Sequence, residues 1–141
     1  MQLSLTLGVA DLHQTARFYR EILQLNPQFS DANKQTHGYL LLRCGATCLL
    51  FRQLAELEAQ HPALLQNLTR HPLGVGMQLE FSCPDLTIVN NCLARYQWPV
   101  VYELEDDEHQ RKELWLHDPD GYLLVLNEER VPHGSPAQEP T

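Results

Sequence analysis

Two carboxylates, an indole and an imidazole are the side chains whose types and spacing best suit chemistry. Glu80 lies in one segment of alternating polar and apolar residues, and Glu113, Trp115 and His117 lie in another. Because alternate residues of a strand point to the same face, these four side chains are predicted to share a face. A carboxylate that is desolvated beside an indole suits general acid or base chemistry. The same groups also suit a cationic or aromatic ligand, so this pattern leaves catalysis and binding open.

The spacing of the histidines and cysteines does not favour metal or dithiol chemistry. The seven histidines contain no HxH or HxxxH pair, and the four cysteines contain no CxxC pair. Zinc sites and dithiol redox sites are normally marked by such pairs. The sequence also has no nucleophile elbow, phosphate-binding loop or dinucleotide-binding fingerprint. We therefore predict no metal ion and no cofactor.

The net charge of the chain, −8 over 141 residues, is concentrated in its second half. Residues 1–74 carry five acidic and six basic residues, whereas residues 75–141 carry thirteen and four. An acidic surface repels nucleic acids and anionic membranes and favours a cationic ligand. The longest apolar run, Tyr122–Leu126, has only five residues, and the amino terminus has no signal-peptide pattern. The expectation is a cytoplasmic protein whose partners include neither nucleic acid nor membrane.

An internal repeat is the clearest indication of architecture. When the sequence is shifted by 74 residues, its two halves align without a gap and seven positions are identical. The identical pairs are Leu5 and Leu79, Asp11 and Asp85, Leu12 and Leu86, Leu40 and Leu114, Leu42 and Leu116, Leu49 and Leu123, and Leu50 and Leu124. Each half contains an alternating segment, an Asp at a helix N-cap position, a helical pattern, a short strand and a hairpin. The unit is therefore βαβββ, present twice, in an α+β fold.

The repeat also sets the expected domain organisation. Neither copy alone is large enough to be a safe independent domain, so we predict that both belong to one. The tail 131–141 is rich in proline and small polar residues, which predicts disorder. The expected boundaries are residues 1–53 and 75–128 for the two modules, 54–74 for a helical connector interrupted at His61-Pro62, and 1–130 for the domain that contains them.

Alternation assigns the faces of the predicted strands. Leu3, Leu5 and Leu7 are expected to pack under the helices, as are their counterparts in the second module, which leaves a polar opposite face. The acidic run 103–108 is expected in a loop. Since the polar face also collects aromatic side chains, it has the mixture that a small-molecule site needs. The predicted ligand-binding residues are Ser4, Thr6, Arg43, Phe51, Gln78, Glu80, Glu113, Trp115, His117 and Val125.

Two motifs resemble those of the vicinal oxygen chelate superfamily. One is Val9–Leu12 (VADL) followed by Phe18-Tyr19, and the other is Asp118–Tyr122 (DPDGY). The superfamily includes glyoxalase I, extradiol dioxygenases, fosfomycin resistance enzymes and bleomycin resistance proteins. The resemblance covers about residues 1–130 and implies tandem βαβββ modules that form a curved mixed sheet around a cavity. It also implies a homodimer, because modules of this superfamily commonly pair edge to edge within or between chains.

The resemblance further implies where metal ligands would lie. The metal-dependent members place His, Glu or Gln at positions that correspond here to Ser4, Phe51, Gln78 and Val125. Phe and Val have no donor atom for a divalent cation, and Ser and Gln offer only neutral oxygens. The resemblance is therefore closest to the metal-free, bleomycin-resistance-like members, which sequester a small molecule.

Three functions stay open at this stage. The first is sequestration of a small cationic or aromatic molecule in the concave cavity of the sheet. The second is an enzyme, either a glyoxalase-like lyase or isomerase that uses Glu80 or Glu113, or a dioxygenase-related metal enzyme with unusual ligands. The third is an accessory protein with a vestigial cavity. Product formation would identify the second, whereas a stabilising ligand that is recovered unchanged would identify the first.

Overall fold

A computed structural model describes residues 1, 3–30, 38–65, 70 and 72–129 of the chain. The tail 131–141, for which disorder is predicted, lies outside the described residues, and so does part of the connector. Among the described residues, no helix is long and apolar enough to cross a membrane.

The first module is a strand, a helix and three further strands, as the repeat predicts. Its elements are β1 (Ser4–Val9), α1 (Leu12–Arg17) with a π-helical continuation (Phe18–Ile22), β2 (Gln28–Phe29), β3 (Leu40–Cys44) and β4 (Thr47–Gln53). The Asp11 carboxylate accepts hydrogen bonds from the backbone N–H groups of His13 and Gln14 at 2.8 and 3.4 Å. These bonds satisfy two of the free donors at the start of α1 and confirm Asp11 as its N-cap.

The connector and the second module follow the same plan. Their elements are α2 (Leu54–Gln60), α3 (Pro62–Leu65), β5 (Gln78–Cys83), α4 (Thr87–Arg95), β6 (Tyr102–Asp106), β7 (Arg111–His117) and β8 (Leu123–Glu129). Helix α2 ends at Gln60 and His61 caps it, so the helical connector is interrupted at His61-Pro62, as the sequence predicts. The prediction that the acidic run 103–108 lies in a loop is wrong, because its first four residues belong to β6. Charged side chains are tolerated in β6 because it is an edge strand with access to water.

The strands form two four-stranded mixed sheets with the same topology. Sheet A has the order β1-β4-β3-β2, and sheet B has the order β5-β8-β7-β6. In each sheet the first strand of the module pairs in parallel with the last strand, and the remaining pairs are antiparallel. The predicted α+β fold with a duplicated βαβββ unit is confirmed.

The face of β4 differs from the prediction. Phe51 pairs with Leu7 on one side and with Leu40 on the other, so it lies on the helix-facing side of sheet A. Its side chain is fully buried, and its ring centroid is 5.0 Å from that of Tyr19. In sheet B, Val125 pairs with Glu80 on the opposite, concave face. The prediction that Phe51 shares the concave face is therefore wrong.

The cause is one extra residue in the second hairpin. In the first hairpin the pair Arg43 and Cys48 encloses four residues, whereas in the second the equivalent pair His117 and Leu123 encloses five. A shift of 74 residues therefore aligns β3 with β7 correctly but displaces β4 against β8 by one position. Because a one-residue shift exchanges the two faces of a strand, the true counterpart of Val125 is Leu50.

A second correction concerns the start of β1. Leu3 is 70% exposed and precedes the strand, which begins at Ser4. Leu7 is buried, and Leu5 is half-buried. The alternation is therefore correct within β1, but the sheet does not extend far enough to cover Leu3.

Both modules contribute to one hydrophobic core. The Tyr19 ring contacts Phe51 of its own module and lies 6.5 Å, centroid to centroid, from Phe81 of β5. The buried apolar side chains of the two modules form a single cluster around it. The π-helical segment also packs against α4, which brings the helices of the two modules together.

Three hydrogen bonds from the DPDGY turn join the modules. The Tyr19 hydroxyl donates to Asp118 at 3.1 Å, the Ala10 N–H donates to Asp120 at 2.8 Å, and the Tyr122 hydroxyl donates to the Gly8 carbonyl oxygen at 2.7 Å. Burial raises the pKa of Asp118 to about 6, although hydrogen bonds from the backbone of Tyr122 and Asp120 oppose the rise. The turn thus has a structural role that its polar, proline-containing sequence does not suggest.

Candidate functional site

A groove of about 810 Å³ lies where the first module meets β5 and α4. This volume falls within the range of about 300–1,000 Å³ that is typical of small-molecule sites. Leu5 and Leu49 of sheet A and Leu25, after the π-helical segment, form one apolar wall. The other wall is formed by the edge of β5 and by Ile88 and Val89 of α4. The lining is more apolar than polar, which suits an organic ligand.

The polar groups of the groove include three of the predicted site residues. Arg43, at the end of β3, and Gln78 and Glu80, on β5, all line it. All three side chains are exposed. Within the described residues, the Arg43 guanidinium makes no hydrogen bond or ion pair. Opposite charges therefore stand at the groove on different modules.

The concave face of sheet B adjoins the groove through Glu80. The register places Glu80, Val125, Trp115 and Tyr102 in one row across β5, β8, β7 and β6. The Tyr102 ring packs edge-on against Trp115 at 5.6 Å between centroids and 80° between planes. Tyr102 is exposed, whereas Val125 is buried. The row provides an aromatic surface with a carboxylate at its groove end.

Glu113 has partners for both of its carboxylate oxygens. Oε1 accepts a hydrogen bond from Arg111 Nη2 at 2.7 Å, and Oε2 accepts one from the Trp115 indole N–H at 3.0 Å. The side chain is almost completely buried. Glu113 therefore fixes the orientation of the Trp115 ring, which leaves Glu80 as the more accessible of the two predicted carboxylates.

Glu80 is itself held in place by a neighbour. Its Oε1 atom accepts a hydrogen bond from the Asn127 amide. The carbonyl oxygen of Asn127 is buried, and no hydrogen bond to it is found within the described residues. An unpaired buried acceptor is unfavourable unless a donor reaches it. This oxygen is enclosed and Asn127 does not line the groove, so a ligand there would reach the Glu80 carboxylate and not this atom.

The remaining predicted residues are spread over both sheets. Ser4 and Thr6 are exposed on β1, on the face opposite to the buried Leu7. His117 is exposed at the end of β7, in register with Leu123 rather than with Glu80. The structure thus places Arg43, Gln78 and Glu80 at the groove, and Trp115, Val125 and Glu113 beside it on the concave face. Phe51 contributes to neither surface, because it is enclosed in the core.

The groove also contains residues that the sequence reasoning missed. Cys44 and Cys83 line it, and burial raises the pKa of both thiols. A thiol with a raised pKa is mainly protonated at neutral pH and is a poor nucleophile. Ile88 also lines the groove and is 64% exposed. The sequence did contain a sign of this role, because Ile88 is an apolar residue that falls outside the buried positions of helix α4.

Comparisons with known proteins bear on the fold. The sequence matches no protein-family model and no curated protein. Among solved structures, it is similar to a lactoylglutathione lyase from Agrobacterium tumefaciens, at 18% identity and a TM-score of 0.60, over 91% of this chain and 92% of that one. It is also similar to a member of the glyoxalase/bleomycin resistance protein/dioxygenase superfamily from Sphaerobacter thermophilus, at 16% identity and a TM-score of 0.62, over 92% and 97%.

The chain has the vicinal oxygen chelate fold. A virulence protein from Salmonella typhimurium is also similar, at 20% identity and a TM-score of 0.59, over 93% of this chain and 96% of that one. The resemblance that was based on the VADL and DPDGY motifs is therefore confirmed at the level of the fold. Since proteins with the vicinal oxygen chelate fold have many different activities, the fold alone does not determine the function of this chain.

The metal positions of the vicinal oxygen chelate superfamily can now be assigned with the corrected register. They are Ser4, Leu50, Gln78 and Val125, in which Leu50 replaces the Phe51 of the sequence-based assignment. Two hydrocarbon side chains, a hydroxyl and an amide do not fit a divalent cation, which needs several nitrogen, sulfur or charged oxygen donors. Within the described residues, no group of three or more His, Cys, Asp and Glu side chains is arranged to hold a metal ion.

Proposed function

We propose that this protein binds a small organic molecule, without a metal ion, in the groove between the first module and β5. The observation that carries the proposal is the combination of an apolar groove of about 810 Å³ with a few charged and polar groups around it. Pockets of this kind, in which apolar walls supply affinity and a few polar groups supply orientation, are typical ligand sites. The ligand is held and released unchanged, as in sequestration.

The chemistry of the groove supports binding over catalysis. The two thiols have raised pKa values, so neither is activated as a nucleophile. Glu113, one of the two carboxylates considered as an acid or base, is saturated by Arg111 and Trp115. Glu80 remains as a charged acceptor, and it lies at the junction of the groove and the aromatic row. A positively charged group of the ligand is therefore expected to bind at Glu80.

Blocking the groove tests the proposal. Native mass spectrometry of freshly purified protein and a thermal-shift screen would identify ligands, because a ligand that binds only the native state raises its melting temperature. Ile88→Trp places a large ring at the groove from an exposed position. We expect at least a tenfold loss of affinity, or ~1.4 kcal/mol, for each ligand in this variant.

Val101→Trp is the matched control for this experiment. Val101 is also an exposed β-branched residue, but it does not line the groove. The Val101→Trp variant should bind every ligand with the affinity of the parent protein. If Ile88→Trp also binds every ligand normally, the groove is not the binding site. If a ligand is instead converted to a product, the protein is an enzyme and does not act by sequestration.

We also propose that the protein is a homodimer. In the structure, β1 pairs only with β4 and β5 only with β8 among the described strands, and β2 and β6 end the sheets on the other side. Such edges favour association with another sheet. Sedimentation analysis should give the mass of a dimer at micromolar concentration. A monomer that persists at all salt concentrations would contradict the dimer without affecting the groove.

A further inference from the structure

We infer that the ligand of the groove is a zwitterion with an apolar body, whose anionic group binds Arg43 and whose cationic group binds Glu80. This inference rests on the proposed function and specifies its ligand class. It is carried by three features of the groove, namely the Arg43 guanidinium, which has no ionic partner within the described residues, the positioned Glu80 carboxylate, and the apolar side chains of the same lining.

Arg43 is suited to a carboxylate or a similar anion. It is the penultimate residue of β3, paired with Cys48 across the hairpin, so its backbone is held in the sheet. Its side chain is exposed and has no charged partner among the described residues. This contrasts with Arg52 and Arg111, which pair with Glu56 and Glu113 at 3.3 and 2.7 Å. A guanidinium binds a carboxylate through two parallel hydrogen bonds, which gives both affinity and orientation.

Glu80 is suited to an ammonium or a similar cation. The hydrogen bond from Asn127 fixes one of its oxygens, and the side chain remains exposed on the groove side of β5. A positively charged N–H donor would bind the exposed Glu80 carboxylate, whereas an anion would be repelled by it.

The balance of charge favours a zwitterion over a ligand with one charge. A purely cationic ligand would leave the Arg43 guanidinium without an ionic partner in the groove, and a purely anionic ligand would leave Glu80 with only the neutral Asn127 amide. Desolvating an unpaired charge is costly. Asp85 also lies at the groove, where its carboxylate accepts a hydrogen bond from the Thr87 N–H at 2.8 Å. Its negative charge further disfavours a ligand that is only anionic.

The two charged groups belong to different modules. Arg43 is part of sheet A and Glu80 is part of sheet B. Leu5 and Leu49, from sheet A, and Val89, from α4, line the groove with them. A ligand that contacts both charges therefore bridges the modules, and its apolar body lies against walls from each of them.

A set of four related dipeptides tests the inference. The probes are leucyl-phenylalanine, its N-acetyl form, its C-terminal amide, and the form that carries both caps, which are zwitterionic, anionic, cationic and neutral with the same apolar body. Binding is measured by calorimetry or ligand-observed NMR. We expect the zwitterion to bind at least fivefold more tightly than either singly charged form, and the neutral form to bind weakest.

Charge-removing variants assign each end of the probe. Arg43→Gln should weaken the zwitterion and the anionic form at least fivefold but leave the cationic form unchanged, and Arg43→Lys should recover part of the loss. Glu80→Gln should show the opposite selectivity. Arg95→Gln and Glu105→Gln are the matched controls, since both residues are exposed and neither lines the groove. They should bind all four forms like the parent protein.

The outcomes separate the ligand class from the proposed function. Equal affinity for all four forms, with binding abolished by Ile88→Trp, would overturn the zwitterion and leave the groove as the binding site. Failure of all four forms to bind, while other ligands bind and are lost in Ile88→Trp, would have the same meaning. If Ile88→Trp changes the binding of no compound, both the ligand class and the proposed function are wrong.

Discussion

The two hairpins of the repeat have taken different roles, although they occupy equivalent places in their modules. The first turns tightly through Gly45 and Ala46 between Cys44 and Thr47. The second is longer by one residue and contains the DPDGY motif. The first hairpin lines the groove, whereas the second joins the two modules.

The extra residue makes the joining role possible. It gives the second turn room for a buried carboxylate, whose Oδ1 accepts hydrogen bonds from the N–H groups of Asp120 and Tyr122 at 2.9 and 3.0 Å. The other oxygen of Asp118 is then directed at Tyr19 in the first module. In this duplicated fold, one hairpin joins the modules, and its counterpart lines the groove.

Among changes in the two hairpins, removal of the buried Asp118 carboxylate should cause the largest loss of stability. In Asp118→Ala, three donors lose their acceptor, namely the Tyr19 hydroxyl and the backbone N–H groups of Asp120 and Tyr122. We expect the free energy of unfolding to fall by about 2–4 kcal/mol, because buried donors are left unpaired. Urea denaturation measures this loss.

The control for this change is Asp107→Ala, at an exposed turn. Its effect should stay within ~0.5 kcal/mol, as for most surface substitutions. A loss of similar size in both variants would mean that the second hairpin has no special role.

The second hairpin should also make the stability of the protein depend on pH. Because burial raises the pKa of Asp118 from 3.8 to about 6, the folded chain binds this proton more tightly than the unfolded chain. The contribution of Asp118 therefore becomes more favourable as the pH falls from 7.5 to 5. We expect a gain of ~1–2 kcal/mol, as an order of magnitude from the size of the shift. Burial also raises the pKa of Asp120, which acts in the same direction.

Asp118→Asn separates Asp118 from other titrating groups. The amide keeps the carbonyl acceptor for the turn but has no charge, so the gain between pH 7.5 and pH 5 should be smaller than in the parent protein. Urea denaturation at the two pH values provides the measurement. An unchanged gain in Asp118→Asn would assign the pH dependence to other groups.

Substitutions in the first hairpin should affect stability only through the backbone conformation of its turn. Gly45 has a φ of +60°, and a Cβ at this position would meet no atom within 4 Å. Gly45→Ala should therefore cost about 1 kcal/mol through the left-handed backbone alone. Asn tolerates this conformation better than Ala, so Gly45→Asn should cost less. Thermal denaturation compares the two variants, and equal losses would point to a contact rather than to the backbone.

The sequence predicted the elements that depend on local patterns. Alternation identified β1 and β5, and Asp11 was recognised as an N-cap because its side chain has a specific place before a helix. The repeat then predicted the order of strands in both modules. These features are encoded by neighbouring residues, and the structure confirms them.

Features that depend on distant parts of the chain were not predicted. The predicted face of Phe51 was wrong because an ungapped comparison of the two halves cannot detect the extra residue in the second turn. Since alternate residues of a strand point to opposite faces, that one-residue error reverses the assigned face of every residue in β4. The repeat predicted a short strand after the second helix, but residues 103–106 were assigned to a loop, because pairing with β7 rather than their own composition makes them part of β6. The groove was missed because it requires β5 and α4 to be placed against the first module. Arg43 and Glu80 were nevertheless among the predicted residues: Glu80 lies on a strand with clear alternation, and Arg43 was assigned by parity with the buried positions Leu40 and Leu42.

The three bonds between the modules also constrain the order of folding. Tyr19 and Asp118 are separated by 99 residues along the chain, Ala10 and Asp120 by 110, and Gly8 and Tyr122 by 114. Closing a loop of this length carries an entropy cost that must be met before its contacts stabilise the chain. The hairpins bring together residues only a few positions apart and form at a much lower cost. We therefore expect the DPDGY turn to form early as a local structure and to dock on the first module late, so that the groove is completed only at the end of folding.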